Sequence, residues 1–283
     1  MGITKVAGCA TFAWQEVLLP LCSNHPESTG TRIISPRGKL TRERLHVSVA
    51  FDLRNPVVGI RQRKLNYSFM AAEALWILSG DDSVTPVVEY NSRMLQFSDD
   101  GETFAGAYGP PVVNQLDWCV EQLLQDVDTR QSVLTIWKQK PEPSKDIPCT
   151  IAMTFNIRQD KLNCHVFMRS SDTYIGLPYD FFVFSMIAWK VCCEYNAQNV
   201  YKRDIFPGAL YWTGVSSHLY ETEFEDAQKV TFGAMGYMNP MTRAELNWHN
   251  IESQLVMARD KSEPKTVYSE AGYWRVRPWW KAS

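Results

Sequence analysis

Apolar residues recur at helical spacing over Tyr67 to Leu78, and the run stops at Ser79-Gly80, where glycine suits a left-handed helix end. The same periodicity predicts helices over Ala10 to Cys22, Val112 to Val127 and Phe181 to Tyr195. The first is broken by the loop Ser23 to Arg32, with Pro26 and Gly30; the last follows Pro178. A period of two predicts a strand over Leu45 to Leu53, with His46, Ser48 and Ala50 opposite Val47, Val49 and Phe51, and another over Ser132 to Trp137. Thr150 to Ile157 and Lys161 to Arg169 read as a hairpin closed near Gln159-Asp160. Helices and strands thus alternate, which predicts a mixed α/β (α+β) chain with a mixed β-sheet core flanked by helices. Tyr273 to Trp280, rich in tryptophan, follows no period.

Composition narrows the class. With 283 residues, 45% hydrophobic and 12% aromatic, the chain can build a substantial core, and a single domain over 1–283 is expected. The net charge of -2 provides no global basic field for a nucleic-acid polymer. Seven cysteines, an odd number without C-x-x-C spacing, argue against a disulfide framework or a bound metal and for a reducing cytoplasm. Glu16 interrupts the first apolar run, so no signal peptide is read. The most apolar segment, Phe181 to Trp189, is shorter than the roughly 20 residues a bilayer requires, so no membrane partner is expected.

Candidate chemistry concentrates in Met168-Arg-Ser-Ser-Asp-Thr-Tyr-Ile-Gly-Leu-Pro-Tyr-Asp180 and in Pro148-Cys149 upstream. The hairpin would fold Cys149 back opposite Arg169 or Ser170, where a guanidinium would draw down the thiol pKa. Arg169-Ser170 offers a planar fork of donors beside a hydroxyl, suited to an anion. Asp172 equally suits a turn cap, and Asp180 the N-cap of the following helix. Glu73 lies in an apolar helix, where a carboxylate either finds a partner or faces solvent. His218 and Tyr220 alternate onto one face, as sugar-facing donors or as satisfied core side chains.

In combination these motifs resemble the thymidylate synthase superfamily from about Ser28 to Phe224. Ser28-Thr-Gly-Thr31 resembles its Arg-Thr-Gly-Thr loop, and Phe51-Asp-Leu53 and Glu73-Ala-Leu-Trp76 its Phe-Asp-Leu strand and Glu-Leu-Leu-Trp helix. Gly106-Ala-Tyr-Gly109, Asp128-Thr-Arg130 with Trp137, and Pro148-Cys149 follow in the family's order. Arg169-Ser-Ser-Asp172, Gly176-Leu-Pro-Tyr179 and His218-Leu-Tyr220 complete the series. The residue after Gly-Leu-Pro-Tyr is Asp180, where thymidylate synthases carry Asn. The deoxycytidylate hydroxymethylases that phages encode within this superfamily carry Asp there.

The resemblance implies a cysteine-nucleophile enzyme of modified-DNA metabolism, in the host cytoplasm if phage-encoded. It would transfer a one-carbon unit from 5,10-methylenetetrahydrofolate to C5 of dCMP, giving 5-hydroxymethyl-dCMP. Methylation of dCMP, hydroxymethylation of CMP, thymidylate synthesis, and a nucleotide-binding relative without activity are the alternatives. Cys149 would be the nucleophile, Asp180 the reader of the base edge, and Glu73 and Tyr108 the groups that order water and move protons. Arg130, Arg169, Ser170 and Asp172 would bind the nucleotide, with His218 and Tyr220 on the sugar. Arg63, Lys64, Asp172 and Gly176 would bind folate. A homodimer is implied, with Arg130 reaching into the neighbour's site. The sequence departs from the family at Ser28 and Gln131, where phosphate-binding arginines are expected and Arg32 is a candidate substitute, and at Thr150, where the family has His. The family's folate-facing tryptophan has no counterpart near Arg93, and its folate-clamping C-terminal tail is not recognisable. A carboxylic acid held neutral by burial both donates and accepts, as the N3 and N4 edge of cytosine requires. A buried site built for one edge rejects the other by roughly 10⁴-fold.

Overall fold

The computed structural model describes residues 6–199, 203–231, 247–261, 268–269 and 272–273. Its frame is a six-stranded mixed sheet in the order β1-β2-β6-β5-β4-β3. The strands are β1 (Arg32–Ile34), β2 (Thr41–Asp52), β3 (Val133–Thr135), β4 (Thr150–Arg158), β5 (Lys161–Asp172) and β6 (Phe206–Tyr220). Only the central β5–β6 pair is parallel. A two-stranded ribbon, β7 (Tyr268–Ser269) with β8 (Gly272–Tyr273), follows; the rest of the tryptophan-rich end lies outside the described residues. The helices are α1 (Ala10–Leu21), α2 (Tyr67–Leu78), α3 (Thr85–Val88), α4 (Gly109–Gln125), α5 (Leu177–Gln198), α6 (Phe224–Thr231) and α7 (Trp248–Arg259).

The apolar periodicity is realised almost as read. Helix α2 has the expected bounds: the Asn66 side chain accepts from the Phe69 N–H at its start, and Gly80 takes φ 79° past its end. Helix α5 starts four residues before the expected Phe181, because Pro178 suits a first turn that lacks backbone acceptors anyway. Asp180 therefore lies inside the first turn of α5, not at its N-cap, which is Gly176. In β2 the expected alternation ends at Ala50, which is 2% exposed beside buried Val49 and Phe51, because this end of the strand is covered on both faces.

Even positions of β5 (Leu162, Cys164, Val166, Met168) pack with Trp212 of β6 against α5, whose Phe181, Phe184 and Trp189 are buried. The opposite face carries Ser48, bonded to Thr213, and His165, stacked on Tyr211 at 4.6 Å. Phe167 and Val215 on that face stay 48% and 43% exposed. No helix among the described residues is long and apolar enough to cross a membrane.

Candidate active site

The β4–β5 hairpin places the thiol. Gln159 and Asp160 take φ 54° and 57°, a two-residue turn whose twist matches the strands. Thr150 then pairs with Met168, and the Arg169 N–H donates to the Cys149 carbonyl at 2.9 Å. Cys149 Sγ lies 3.6 Å from Ser170 Oγ, within hydrogen-bond reach. Arg169 spends Nε on the Pro148 carbonyl (2.9 Å), Nη2 on the Ile147 carbonyl (2.9 Å) and Nη1 on Ser170 Oγ (3.4 Å). The guanidinium thus braces the loop that carries the thiol. The expected depression of the thiol pKa does not follow. Burial pushes the Cys149 thiol above its ordinary value and outweighs the downward pull of Ser170 and Arg169, while Asp180 and Asp146 add to the rise.

Acidic groups surround the thiol in its cleft: Glu73, Asp172 and Asp180 are each only partly exposed. Burial, helped by the Asp180 charge, lifts Glu73 to about 8, so Glu73 faces the cleft rather than bulk solvent. Burial lifts Asp180 to about 7, with Asp172 adding repulsion. Tyr108 is pushed well up by burial and by the Asp180 and Cys149 charges. Its hydroxyl accepts from the Thr150 N–H (3.2 Å) and from Thr150 Oγ1 (3.0 Å). Asp172 is also raised by burial, although its Oδ1 accepts from the Tyr174 and Ile175 N–H groups and His218 favours its charge. Cys149, Tyr108, Asp180, Glu73 and Asp172 therefore form one electrostatic cluster.

The other candidates divide. His218 pairs across the sheet with Asp172, and its ring meets Tyr220 edge-on at 5.3 Å, so both rings border the cluster. Burial lifts Tyr220, with Asp172 adding to the rise. Gly176 donates to the Asp172 carbonyl and accepts from the Asp180 N–H, joining the two acids through the first turn of α5. Arg63 donates from Nε and Nη2 to the Tyr174 carbonyl, its guanidinium over the Tyr174 ring at 4.3 Å. Lys64 is exposed at φ 49°. Arg130 is not brought to the site: it precedes β3 beyond the Phe155 end of β4, roughly 20 Å along the strand from Cys149. Ser28 turns its hydroxyl back to the His25 carbonyl, and Arg32 lies on edge strand β1 opposite Glu43.

Sequence reasoning missed two contributors. Thr150, noted only as a departure, holds Tyr108. Asp146, three residues before the thiol, accepts from the Gly106 N–H at 2.8 Å; no sequence pattern marks it, because the contact joins loops 40 residues apart. Among the described residues no group of three or more His, Cys, Asp or Glu is placed to hold a metal.

A mixed sheet with a half-buried thiol at one strand end, faced by acids held near neutrality, defines an α/β protein built around a single cysteine-centred cleft. The thymidylate synthase family profile matches residues 22–250. The chain belongs to that family. It is similar to the deoxyuridylate hydroxymethyltransferase of Bacillus phage SP01, 30% identical over 225 residues, which cover 70% of this chain and 56% of that protein. It is also similar to the deoxyuridylate hydroxymethyltransferase of Delftia phage PhiW-14, 33% identical over 150 residues, 46% of this chain and 42% of that protein. The chain spans about half the length of these curated relatives.

Proposed function

We propose that this chain hydroxymethylates C5 of a pyrimidine nucleoside monophosphate, with dCMP the favoured substrate. The observation that carries the reading is Asp180: a carboxyl lifted to about 7, in the same cleft as the Cys149 thiol. Methylenetetrahydrofolate would supply a one-carbon unit at the oxidation level of formaldehyde. Cys149 Sγ adds to C6 of the ring and makes C5 nucleophilic. Asp180, protonated, donates to N3 of cytosine and accepts from N4–H, stabilising charge that gathers on that edge. After C5 takes the carbon unit it loses its own proton, and tetrahydrofolate would leave to give an exocyclic methylene. Water adds there as the Cys149 thiolate is expelled from C6, and Glu73 and Tyr108 move the protons. Arg169 and Ser170 hold the phosphate, and His218 and Tyr220 the sugar hydroxyl.

Folate is supported by the turn that leads to the nucleophile loop. Ser92, Arg93, Leu95 and Gln96 border an open surface hollow. Their turn runs into Ser98 and Asp99, which bind the loop before Cys149. Leu95 and Phe97 stand 48% and 42% exposed there, apolar surface suited to a flat ring. Arg63 and Lys64 offer charge to an acidic tail, and Asp172 and Gly176 border the ring site. A homodimer is supported by the uncovered sheet face with Phe167 and Val215; Arg130, remote from its own chain's thiol, would reach the partner's site.

The named substrate of the two phage relatives favours a second reading, dUMP. A neutral carboxylic acid satisfies uracil as well, accepting from N3–H and donating to O4, so protonation by itself permits both bases, and it is an acid in place of the family's asparagine that favours cytosine. Tritium release from C5-labelled dCMP, dUMP and CMP, with methylenetetrahydrofolate, decides. Release from dUMP alone removes the cytosine assignment, and release from none removes the reaction. Mass spectrometry of the product separates hydroxymethyl from methyl.

A further inference from the structure

The loop before the thiol is tied to the loop that bears Tyr108 through one carboxylate. Asp146 Oδ2 accepts from the Gly106 N–H at 2.8 Å, and its own N–H donates to Ser144 Oγ at 2.9 Å. Ser144 donates in turn to Asp99 Oδ2 at 2.5 Å, and the Lys145 N–H to Asp99 Oδ1 at 3.2 Å. The approach is close enough that a Cβ at Gly106 would stand 2.5 Å from the Asp146 carbonyl oxygen and 2.9 Å from its carboxylate. One residue after Asp146, the Ile147 and Pro148 carbonyls take the Arg169 guanidinium. Just past Cys149, Thr150 takes the Tyr108 hydroxyl. Residues 98–108 and 144–150 are thus joined on both sides of the nucleophile. Asp146 is the only carboxylate in the second segment; burial pushes its carboxyl up, against the pull of the Gly106 N–H and of Lys138, which donates to the Ala105 carbonyl.

We propose that Asp146 is a positioning residue: by holding the Gly106 N–H it locks the nucleophile loop onto the Tyr108 loop and fixes Cys149 Sγ beneath the base. The lock is a hydrogen bond reinforced by a glycine-only contact, so it can be broken from either side. Asp146→Ala removes the acceptor. Gly106→Ala leaves every charge in place and forces the loops apart. Asp146→Asn loses the charge but keeps an oxygen that accepts from the Gly106 N–H. This inference rests on Cys149 being the nucleophile of the proposed reaction.

The experiment measures turnover by tritium release, and the midpoint of Cys149 alkylation by iodoacetamide against pH. D146A and G106A should lower turnover by about ten- to a hundredfold, the scale of an ångström of misplacement. G106A, which leaves every charge in place, should also move the alkylation midpoint down toward an ordinary thiol as Cys149 leaves its buried place. D146A should move it at least as far, because it loses the Asp146 charge as well. D146N should keep turnover within about threefold of the parent. A G106A chain with the parent's turnover and midpoint, or a D146N chain as impaired as D146A, overturns the lock. If D146A does not fold, G106A against D146N carries the same comparison. Alkylation needs neither nucleotide nor folate, so a wrong substrate leaves the midpoint readable and the two failures distinct.

Discussion

Replacing Asp180 by Asn tests the group on which the base reading depends, and its effect on stability can be worked from the structure. Burial raises this carboxyl from 3.8 to about 7. At about 1.4 kcal/mol per pH unit, ionising it in place costs about 4 kcal/mol. Water reaching the cleft floor reduces this to about 2 to 4 kcal/mol. The folded value lies above the unfolded one, so the folded chain retains a proton that the unfolded chain releases between those two values. Stability therefore falls as pH climbs from 3.8 to about 7 and is level above. An asparagine bears no such cost. Between pH values of about 4 and about 8.5, the stability advantage of D180N over the parent should grow by about 2 to 4 kcal/mol, read from urea unfolding midpoints. The same variant should move the ratio of dUMP to dCMP turnover by roughly 10⁴, because a fixed amide donates to O4 and accepts from N3–H but misreads cytosine. An advantage that does not change with pH would mean the carboxylate is solvated, and the substrate reading would fall with it.

Glu73→Gln keeps the side-chain shape but not the titration that burial sets at about 8. Tritium release should drop by about 10²-fold or more while nucleotide affinity, by calorimetry, holds; equal losses in both would make Glu73 a binding group. Tyr108→Phe strips the Thr150 N–H and hydroxyl of their acceptor. The cost should be about 1–3 kcal/mol of stability in urea unfolding, and an unchanged midpoint would show that water replaces the phenol. Phe167→Glu places a charge on the open sheet face, and sedimentation should show monomers where the parent is dimeric. A dimeric F167E chain would move the interface elsewhere.

What the sequence made legible follows from the range of each signal. Helix α2 was readable to the residue because its cap, its period and its glycine stop are all local. The β4–β5 hairpin was readable because two turn residues separate two alternating runs, and that register alone brings Cys149 to Ser170. The central strand β6 was not, apart from its His218-Leu-Tyr220 end. Pro207, Gly208 and Gly214 interrupt its alternation, and its pairing with β5 is parallel and long-range. Helix α6, eight residues and amphipathic, and helix α7, twelve residues and capped by Asn247, did carry local marks that sequence reasoning missed. Within the site, residue types were legible but the balance of energies was not. Arg169 near a thiol suggested a thiolate, whereas its donors bind main-chain carbonyls and burial decides the sign.

That sign shapes how the cleft can work. Burial holds the thiol above its ordinary value, whereas Asp180 titrates at about 7, so on raising the pH the acid loses its proton first. The reaction needs the opposite arrangement, with the proton on Asp180 beneath the base and the thiol ionised. That form is therefore the minor one of the singly protonated pair. Turnover against pH should still be bell-shaped, with an acid limb near 7 belonging to the pair's first proton and an alkaline limb, beyond the ordinary thiol range, to its second. In D180N the acid limb near 7 should vanish, leaving activity on dUMP governed by Glu73 at about 8 and by the thiolate; an acid limb that persists near 7 would assign it to another group. The scarcity of the reactive form has a physical use. A thiol that stays protonated in the empty cleft resists oxidation and alkylation, and the proton it must give up moves only when a pyrimidine ring can receive one from Asp180.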